Sequence, residues 1–100
     1  MQNLFSPNPN ALRKEQFDTL LKTQSVSIEK ITSNGQTSSR WYDQSEDEWV
    51  VIIEGEATLL FEDGRELPLQ KGEHLYIPKN TKHKVTYTAS PTIWLAVHFA

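Results

Sequence analysis

The sequence predicts an all-β protein, an antiparallel sandwich or barrel, from three observations. From residue 25 onward, apolar and polar residues alternate with a period of two, as Val26 and Ile28 do among polar neighbours. Turn dipeptides such as Asn34-Gly35 and Asp63-Gly64 divide the chain into short segments. Strands are therefore predicted roughly every eight to twelve residues with no helix between them, a spacing typical of sandwiches and barrels.

The N-terminal part, residues 1–24, is predicted to be an irregular arm followed by a short helix. Pro7 and Pro9 disfavour regular structure at the start of the arm, because proline lacks an amide donor. Asn10 can cap a helix over residues 11–22. The partial apolar stripe of this helix consists of Leu12, Phe17, Leu20 and Leu21.

The rest of the chain, residues 25–100, is predicted to form the β domain. Val26 and Ile28 mark its first strand, and the β-branched run from Glu48 to Ile53 is typical of a buried strand. Gly55 interrupts that run. The later strands are predicted over residues 57–61, 66–69, 74–77, 83–88 and 92–99.

Composition and charge exclude several classes of protein. One hundred residues with 37% hydrophobic content suit one compact domain, and a net charge of −3 argues against nucleic-acid binding. The absence of cysteine excludes disulfides, thiolate metal sites and a cysteine nucleophile. The longest apolar run, Trp49 to Ile53, is far too short to span a membrane, and the N-terminus lacks the pattern of a signal peptide. We therefore expect a soluble cytoplasmic protein that binds neither nucleic acid nor membranes.

Two segments carry the chemistry of this sequence. Asp43, Gln44 and Glu48 bring oxygen-bearing side chains to the start of the apolar strand, and His83 follows the turn after Pro78. If the two strands are neighbours in one sheet structure, these four side chains could converge on one divalent metal ion. Lys82 and Lys84 flank His83, and their charge would depress its pKa and favour the neutral form that binds metals.

In these two segments the chain resembles the cupins, small double-stranded jelly-roll β-barrels. The first cupin motif is His-x-His, then Glu after three or four residues and Gly after six more; Glu48 and Gly55 match it. The second motif is Gly, five residues, Pro-x-Gly, two residues and His, which Gly72, Pro78 and His83 match. The resemblance covers about residues 25–99 and implies a cupin-type barrel preceded by the short helix.

The departures from the motifs concern the metal ligands. If three residues separate the second histidine position from Glu48, Tyr42 and Gln44 replace the two histidines of the first motif. If four residues separate them, Trp41 and Asp43 do. Asn80 stands at the second glycine and can adopt the same left-handed conformation. This pattern is similar to that of short single-domain bacterial cupins of unassigned role.

The resemblance implies a small metal-binding cupin. We expect Glu48 and His83, completed by Asp43 or Gln44, to bind a divalent transition metal (Ni, Mn, Fe or Zn) beside a small polar ligand, with oxygenase or isomerase chemistry among the reactions allowed. The alternative is a cupin that has lost the metal site and only binds a ligand or dimerises. The uncovered edges of a jelly roll further predict a homodimer.

Each candidate also has a purely structural interpretation. Glu48 could be a solvated strand end and His83 a surface turn residue, while His98 is better explained as a structural histidine than as a ligand. Strand alternation places one set of side chains of the last strand in the core and the other set in a cup interior or on a dimer surface. The predicted core set is Ile93, Leu95, Val97 and Phe99; the other set is Trp94, Ala96 and His98.

Overall fold

The computed structural model describes residues 3–100 and contains eight antiparallel strands. Residues 1 and 2 of the predicted N-terminal arm lie outside the described residues. The strands are β1 (Gln16–Lys22), β2 (Val26–Ser33), β3 (Asp47–Glu54), β4 (Glu56–Phe61), β5 (Glu66–Gln70), β6 (His74–Ile77), β7 (His83–Thr88) and β8 (Thr92–Phe99).

The strands form two sheets that enclose the core. The first has five strands in the order β1-β2-β8-β3-β6, and the second has three in the order β5-β4-β7. Buried apolar side chains from both sheets make one cluster: Val50, Ile52, Ala57, Leu59, Phe61, Leu69, Ile77, Trp94 and Ala96. The all-β prediction is confirmed and a jelly roll is consistent with this topology, but the strands of residues 3–100 do not close into a complete barrel.

The predicted helix over residues 11–22 is wrong. A 3-10 helix spans only Pro9–Leu12, capped by Asn8, and Gln16–Lys22 is strand β1, paired with β2. The apolar residues that suggested a helix stripe stay exposed, for example Phe17 at 52% and Leu21 at 49%. Pairing with β2 satisfies the backbone of this segment, so tertiary structure overrides its helical pattern. No helix within residues 3–100 has the length and apolar character needed to cross a membrane.

The remaining strands follow the sequence pattern closely. Strands β6, β7 and β8 begin and end at the predicted residues, and β3 is one residue longer at each end than predicted. The expectation for Asn80 is confirmed, since this residue has a positive φ of 60° in the turn before β7.

The predicted inner face of β8 needs correction. Trp94, Ala96 and His98 are buried, and Trp94 and Ala96 belong to the core cluster. Of the opposite set, Ile93 is fully buried, whereas the remaining three side chains, Leu95, Val97 and Phe99, are half-buried. The alternation of side chains along β8 was predicted correctly. A strand flanked by two neighbours in a sandwich, however, buries much of both faces, and the face of β8 that carries His98 is the inner one.

Candidate functional site

Glu48 and His83 meet inside the molecule. Glu48 lies near the start of β3 and is 6% exposed; His83 is the first residue of β7 and is 5% exposed. Their side chains approach from different sheets, with 3.5 Å between Glu48 Oε1 and His83 Nε2. The interpretations of Glu48 as a solvated strand end and of His83 as a surface turn residue are therefore wrong.

His98 is the second histidine at Glu48. The two residues lie opposite each other in the β3-β8 pairing, and His98 Nε2 is 3.1 Å from Glu48 Oε2. The other ring nitrogen, Nδ1, lies 3.7 Å from Oε1 of Glu29 on β2. The sequence favours a structural role for His98, although the strand period already groups it with Trp94. The structure thus adds a histidine to the candidate site.

A backbone carbonyl sets the tautomer of His83. Nδ1 of His83 lies 2.8 Å from the carbonyl oxygen of Thr81. Because a carbonyl oxygen only accepts, Nδ1 must carry a proton and donate it. In the neutral ring the lone pair is then on Nε2, the atom that faces Glu48. This is the arrangement by which proteins orient a histidine toward a metal.

The three groups perturb one another's protonation. Burial on its own raises the pKa of Glu48, but the approach of His83 and then of His98 outweighs it and lowers this pKa to about 2. For His83, burial lowers the pKa, whereas Glu48 and the Thr81 carbonyl raise it, and the net shift is upward. Glu48 likewise raises the pKa of His98 against the effect of burial. The expected depression of the His83 pKa by the flanking lysines is wrong, because the buried carboxylate dominates.

Lys82 and Lys84 also face away from the ring. Lys82 Nζ lies 3.5 Å from a carboxylate oxygen of Glu62, and Lys84 Nζ lies 4.6 Å from the centre of the Trp41 ring. Both ammonium groups therefore have partners other than His83. For this reason their closeness in sequence was a poor guide to their effect on the pKa of His83.

The segment before β3 brings Gln44, and not Asp43, to the site. Tyr42 and His83 form a backbone bridge, with an amide of each donating to the carbonyl of the other at 2.7 and 3.1 Å. The amide of Asn80 donates to the carbonyl of Gln44 at 2.7 Å. Gln44 is half-buried and lines the same cavity as Glu48 and His83, whereas Asp43 is exposed and does not line it.

These side chains surround a cavity of about 90 Å³ between the sheets. Among the described lining residues, Gln44 Oε1 and Trp94 Nε1 are buried with neither a hydrogen bond nor an ion pair. Glu48 Oε1 and His98 Nε2 are buried without a regular hydrogen bond, and their contacts are the ion pairs of 3.5 and 3.1 Å described above. Buried polar atoms are nearly always paired in native proteins, so such a concentration indicates that something else occupies this space. The lining residues are Glu15, Phe17, Glu29, Ile31, Tyr42, Gln44, Glu48, Val50, Leu59, Ile77, His83, Val85, Trp94 and His98.

The donor set fits a divalent transition metal. Two imidazole nitrogens, one carboxylate and one amide oxygen are ligands that Zn, Fe, Ni and Mn accept, and the amide oxygen of Gln44 has no hydrogen-bond partner among the described residues. Within residues 3–100, however, no three His, Cys, Asp or Glu side chains are already arranged as a metal-ligand set. Glu48 instead pairs directly with both rings.

The remaining aromatic and histidine side chains contribute little to the site. Tyr42 and Trp94 line the cavity, while Trp41, Tyr76 and Tyr87 are exposed. The Tyr87 hydroxyl donates to Glu56, so it is not beside the Glu48 cluster. His74 is exposed, and its ring lies 5.6 Å from that of Trp49.

Comparison with known proteins gives a consistent picture of the fold. The family profile described as the cupin domain matches residues 28–98. No curated protein matches the sequence. A crystal structure from Ralstonia eutropha JMP134, with the provisional name mannose-6-phosphate isomerase, is 38% identical over 99% of this chain and 96% of that chain, with a TM-score of 0.91.

More distant structures share the fold alone. A cupin superfamily protein from Desulfitobacterium hafniense DCB-2 has a TM-score of 0.78 at 18% identity, covering 87% of this chain and 78% of that chain. The cobalt(II) form of HppE in complex with Tris buffer has a TM-score of 0.74 at 16% identity, covering 85% of this chain and 53% of that chain.

Proposed function

The chain belongs to the cupin domain family, and on that premise we propose that it is a small metal-binding cupin whose Glu48, His83 and His98 hold one divalent transition metal ion. The observation that carries this proposal is the convergence of one carboxylate and two ring nitrogens at 3.1 and 3.5 Å in a buried cavity. A bound metal ion would take the place of the protons by which the two histidine rings can balance the charge of Glu48.

Each residue has a defined part in the proposed site. Glu48 supplies the charge, and His83 offers Nε2 because the Thr81 carbonyl holds the proton on Nδ1. Nδ1 of His98 lies 3.7 Å from a carboxylate oxygen of Glu29, an electrostatic contact, while Nε2 of that ring faces Glu48. The amide oxygen of Gln44 is a weaker fourth donor.

The ligand set is compatible with two reaction classes. A bound divalent ion would supply Lewis-acid chemistry, which suits an isomerase, whereas an oxygenase would need a redox-active ion such as Fe together with O₂. Gln44 in place of a histidine makes the site more oxygen-rich than a site of three histidines and one glutamate, and therefore more favourable to harder ions such as Mn. The apolar walls formed by Ile31, Val50, Leu59, Ile77 and Val85 would exclude bulk water from it.

A second candidate is a cupin that binds a small ligand without metal. The direct pairing of Glu48 with His83 and His98 favours this function, because Glu48 raises the pKa of both rings and a protonated ring balances the carboxylate without an ion. In that case the cavity would bind its ligand through the same polar atoms.

Metal analysis of protein purified without an affinity tag tests the proposal. After incubation with Mn, Fe, Ni or Zn and removal of free ions, we expect about one ion per chain in the wild type. His83→Ala and His98→Ala should each abolish retention, whereas His74→Ala, at an exposed position of β6, should retain the ion as a matched control. Wild-type protein that stays metal-free with all four ions would contradict the proposal and favour the metal-free ligand binder.

A further inference from the structure

The indole N–H of Trp94 has no acceptor among the described residues. Its side chain lies on β8, is 4% exposed and lines the cavity, and its indole Nε1 is buried without a partner. The indole N–H can only donate. A buried donor without an acceptor is costly, so it indicates that a molecule in the cavity supplies an acceptor oxygen.

Gln44 presents the complementary group. Its Oε1 is buried, lines the same cavity and has no donor. The backbone carbonyl of Gln44 accepts a hydrogen bond from the Asn80 amide, and two residues earlier Tyr42 forms the backbone bridge to His83. An amide oxygen has two lone pairs, so Gln44 Oε1 can face the metal ion with one and accept a hydrogen bond with the other. A ligand that satisfies both Trp94 and Gln44 therefore carries an acceptor oxygen and a hydroxyl or amine donor.

The charge of the cavity selects against anions. Its lining includes the carboxylates of Glu15, Glu29 and Glu48, and among the described lining residues none is lysine or arginine. A single divalent ion would leave this lining negative. Phosphate and carboxylate ligands are recognised by arginine, lysine or clustered amides, which are missing here from the described lining.

The cavity offers room for a small molecule. About 90 Å³ of space for water-sized molecules accommodates several waters or a compound of a few non-hydrogen atoms. Phe17 and Tyr42 in the lining are exposed, so the cavity opens to solvent. A phosphorylated hexose, the substrate class suggested by the name of the Ralstonia eutropha relative, is disfavoured by its charge.

We infer that the cavity binds a small neutral hydroxy-carbonyl compound of about three carbons, with the indole N–H of Trp94 donating to one of its oxygens and Gln44 accepting from its hydroxyl. The inference rests on the proposed metal site, because the carbonyl and hydroxyl oxygens of such a compound suit an ion held by Glu48, His83 and His98. Trp94 is then a specificity-determining residue.

Titration calorimetry on zinc-loaded protein with two matched probes tests this inference. Hydroxyacetone and glycolate have equal numbers of non-hydrogen atoms, but a methyl group in the first replaces a carboxylate oxygen in the second. We expect hydroxyacetone to bind, glycolate to bind at least about tenfold more weakly, and dihydroxyacetone phosphate to give no heat. The inference would be overturned if glycolate bound as tightly as hydroxyacetone or more tightly, or if hydroxyacetone gave no binding heat.

A substitution identifies the donor. Trp94→Phe keeps an aromatic ring but removes the N–H, so hydroxyacetone should bind about tenfold more weakly while zinc content stays unchanged. Trp49→Phe, at a half-buried tryptophan outside the cavity, is the matched control and should bind as the wild type does. Unchanged affinity in Trp94→Phe would overturn the role of Trp94.

Zinc content measured on the same samples separates the two proposals. Wild-type protein that retains none of Mn, Fe, Ni and Zn would refute the metal site itself. Wild-type protein that holds zinc but ignores hydroxyacetone would refute only the ligand inference.

Discussion

Glu48 and His83 face each other across the interior of the protein, with Glu48 Oε1 3.5 Å from His83 Nε2. Glu48 belongs to the five-stranded sheet and His83 to the three-stranded sheet, so the contact joins the two layers and not two neighbouring strands. Both side chains are buried, so solvent screens their interaction very little. Its strength should therefore appear in the stability of the protein as a function of pH.

Metal-free protein should be most stable between about pH 4.5 and 6.5. The pKa of Glu48 is lowered from 4.5 to about 2 on folding, so its contribution is present above pH 4.5 and is lost as the pH falls toward 2. The pKa values of His83 and His98 are raised above 6.5, so their contribution is present below 6.5 and is lost as the pH rises through the folded-state values. Urea unfolding across this range measures the free energy directly.

Glu48→Gln tests the origin of this optimum. The substitution leaves two protonatable rings without their counter-charge, so it should destabilise the protein by about 3 kcal/mol at pH 5.5 and by much less above the folded-state pKa values of the histidines. Glu54→Gln, at an exposed ion pair with Lys71, is the control and should change little at either pH. A loss in Glu48→Gln that is the same at both pH values would show that packing, and not charge, is responsible.

Much of the fold could be predicted from the sequence because short-range patterns determine it. Strand period and turn dipeptides located seven of the eight strands, and the motif spacing of Glu48 and His83 predicted that their side chains would face one another. The β1 segment was misassigned because the spacing of Leu20 and Leu21 resembles the apolar stripe of a helix. The segment becomes a strand by pairing with β2, and this pairing is not visible in the local sequence pattern.

The composition of the site could be predicted only in part. His98 reaches Glu48 through the register of β3 and β8, and a register between distant strands is not visible in a single sequence. The choice between Asp43 and Gln44 depends on the backbone bridge of Tyr42 to His83, which sets which side chain turns inward. The direction of the His83 pKa shift could not be predicted from the neighbouring lysines in the sequence, because it depends on the distance between His83 and Glu48.

Gln44, and not Asp43, should affect metal binding. Gln44→Ala removes a buried amide oxygen at the cavity and should lower zinc affinity by about tenfold, because an amide oxygen is a weak ligand. Asp43→Ala changes an exposed side chain and should leave the affinity unchanged. Competition with a chromophoric chelator gives both constants, and the reverse pattern would make Asp43 the ligand.

The predicted homodimer should involve strand β1. This strand is at the edge of the five-stranded sheet and exposes apolar side chains, including Leu20 at 41% and Leu21 at 49%. An apolar edge with unpaired backbone groups favours association with a second copy. Light scattering should therefore give about twice the chain mass of 11.5 kDa at micromolar concentration.

A charge at this edge should dissociate the dimer. Leu21→Lys places an ammonium group on β1 and should reduce the measured mass to that of one chain. Leu12→Lys, at an exposed leucine outside the strand, should leave the dimer intact. Wild-type protein with a mass near 11.5 kDa would contradict the assembly itself.

Gly55 should be the least replaceable of the turn glycines. It connects β3 of one sheet to β4 of the other with a positive φ of 82°. A Cβ there would collide with the carbonyl oxygen of Pro91 and approach Thr92 to 2.7 Å at Oγ1 and 2.9 Å at Cα. Gly55→Ala should cost about 3 kcal/mol or more, because backbone atoms would have to move and the left-handed conformation would be strained as well.

Gly72→Ala separates those two causes. Gly72 has nearly the same conformation, with φ at 86°, but apart from its two chain neighbours no heavy atom of the described residues lies within 4 Å of its Cβ position. The substitution should therefore cost only the conformational strain, about 1 kcal/mol. Thermal and urea unfolding of the two variants give the difference, and equal losses would show that the approach of β8 to Gly55 does not constrain this junction between the sheets.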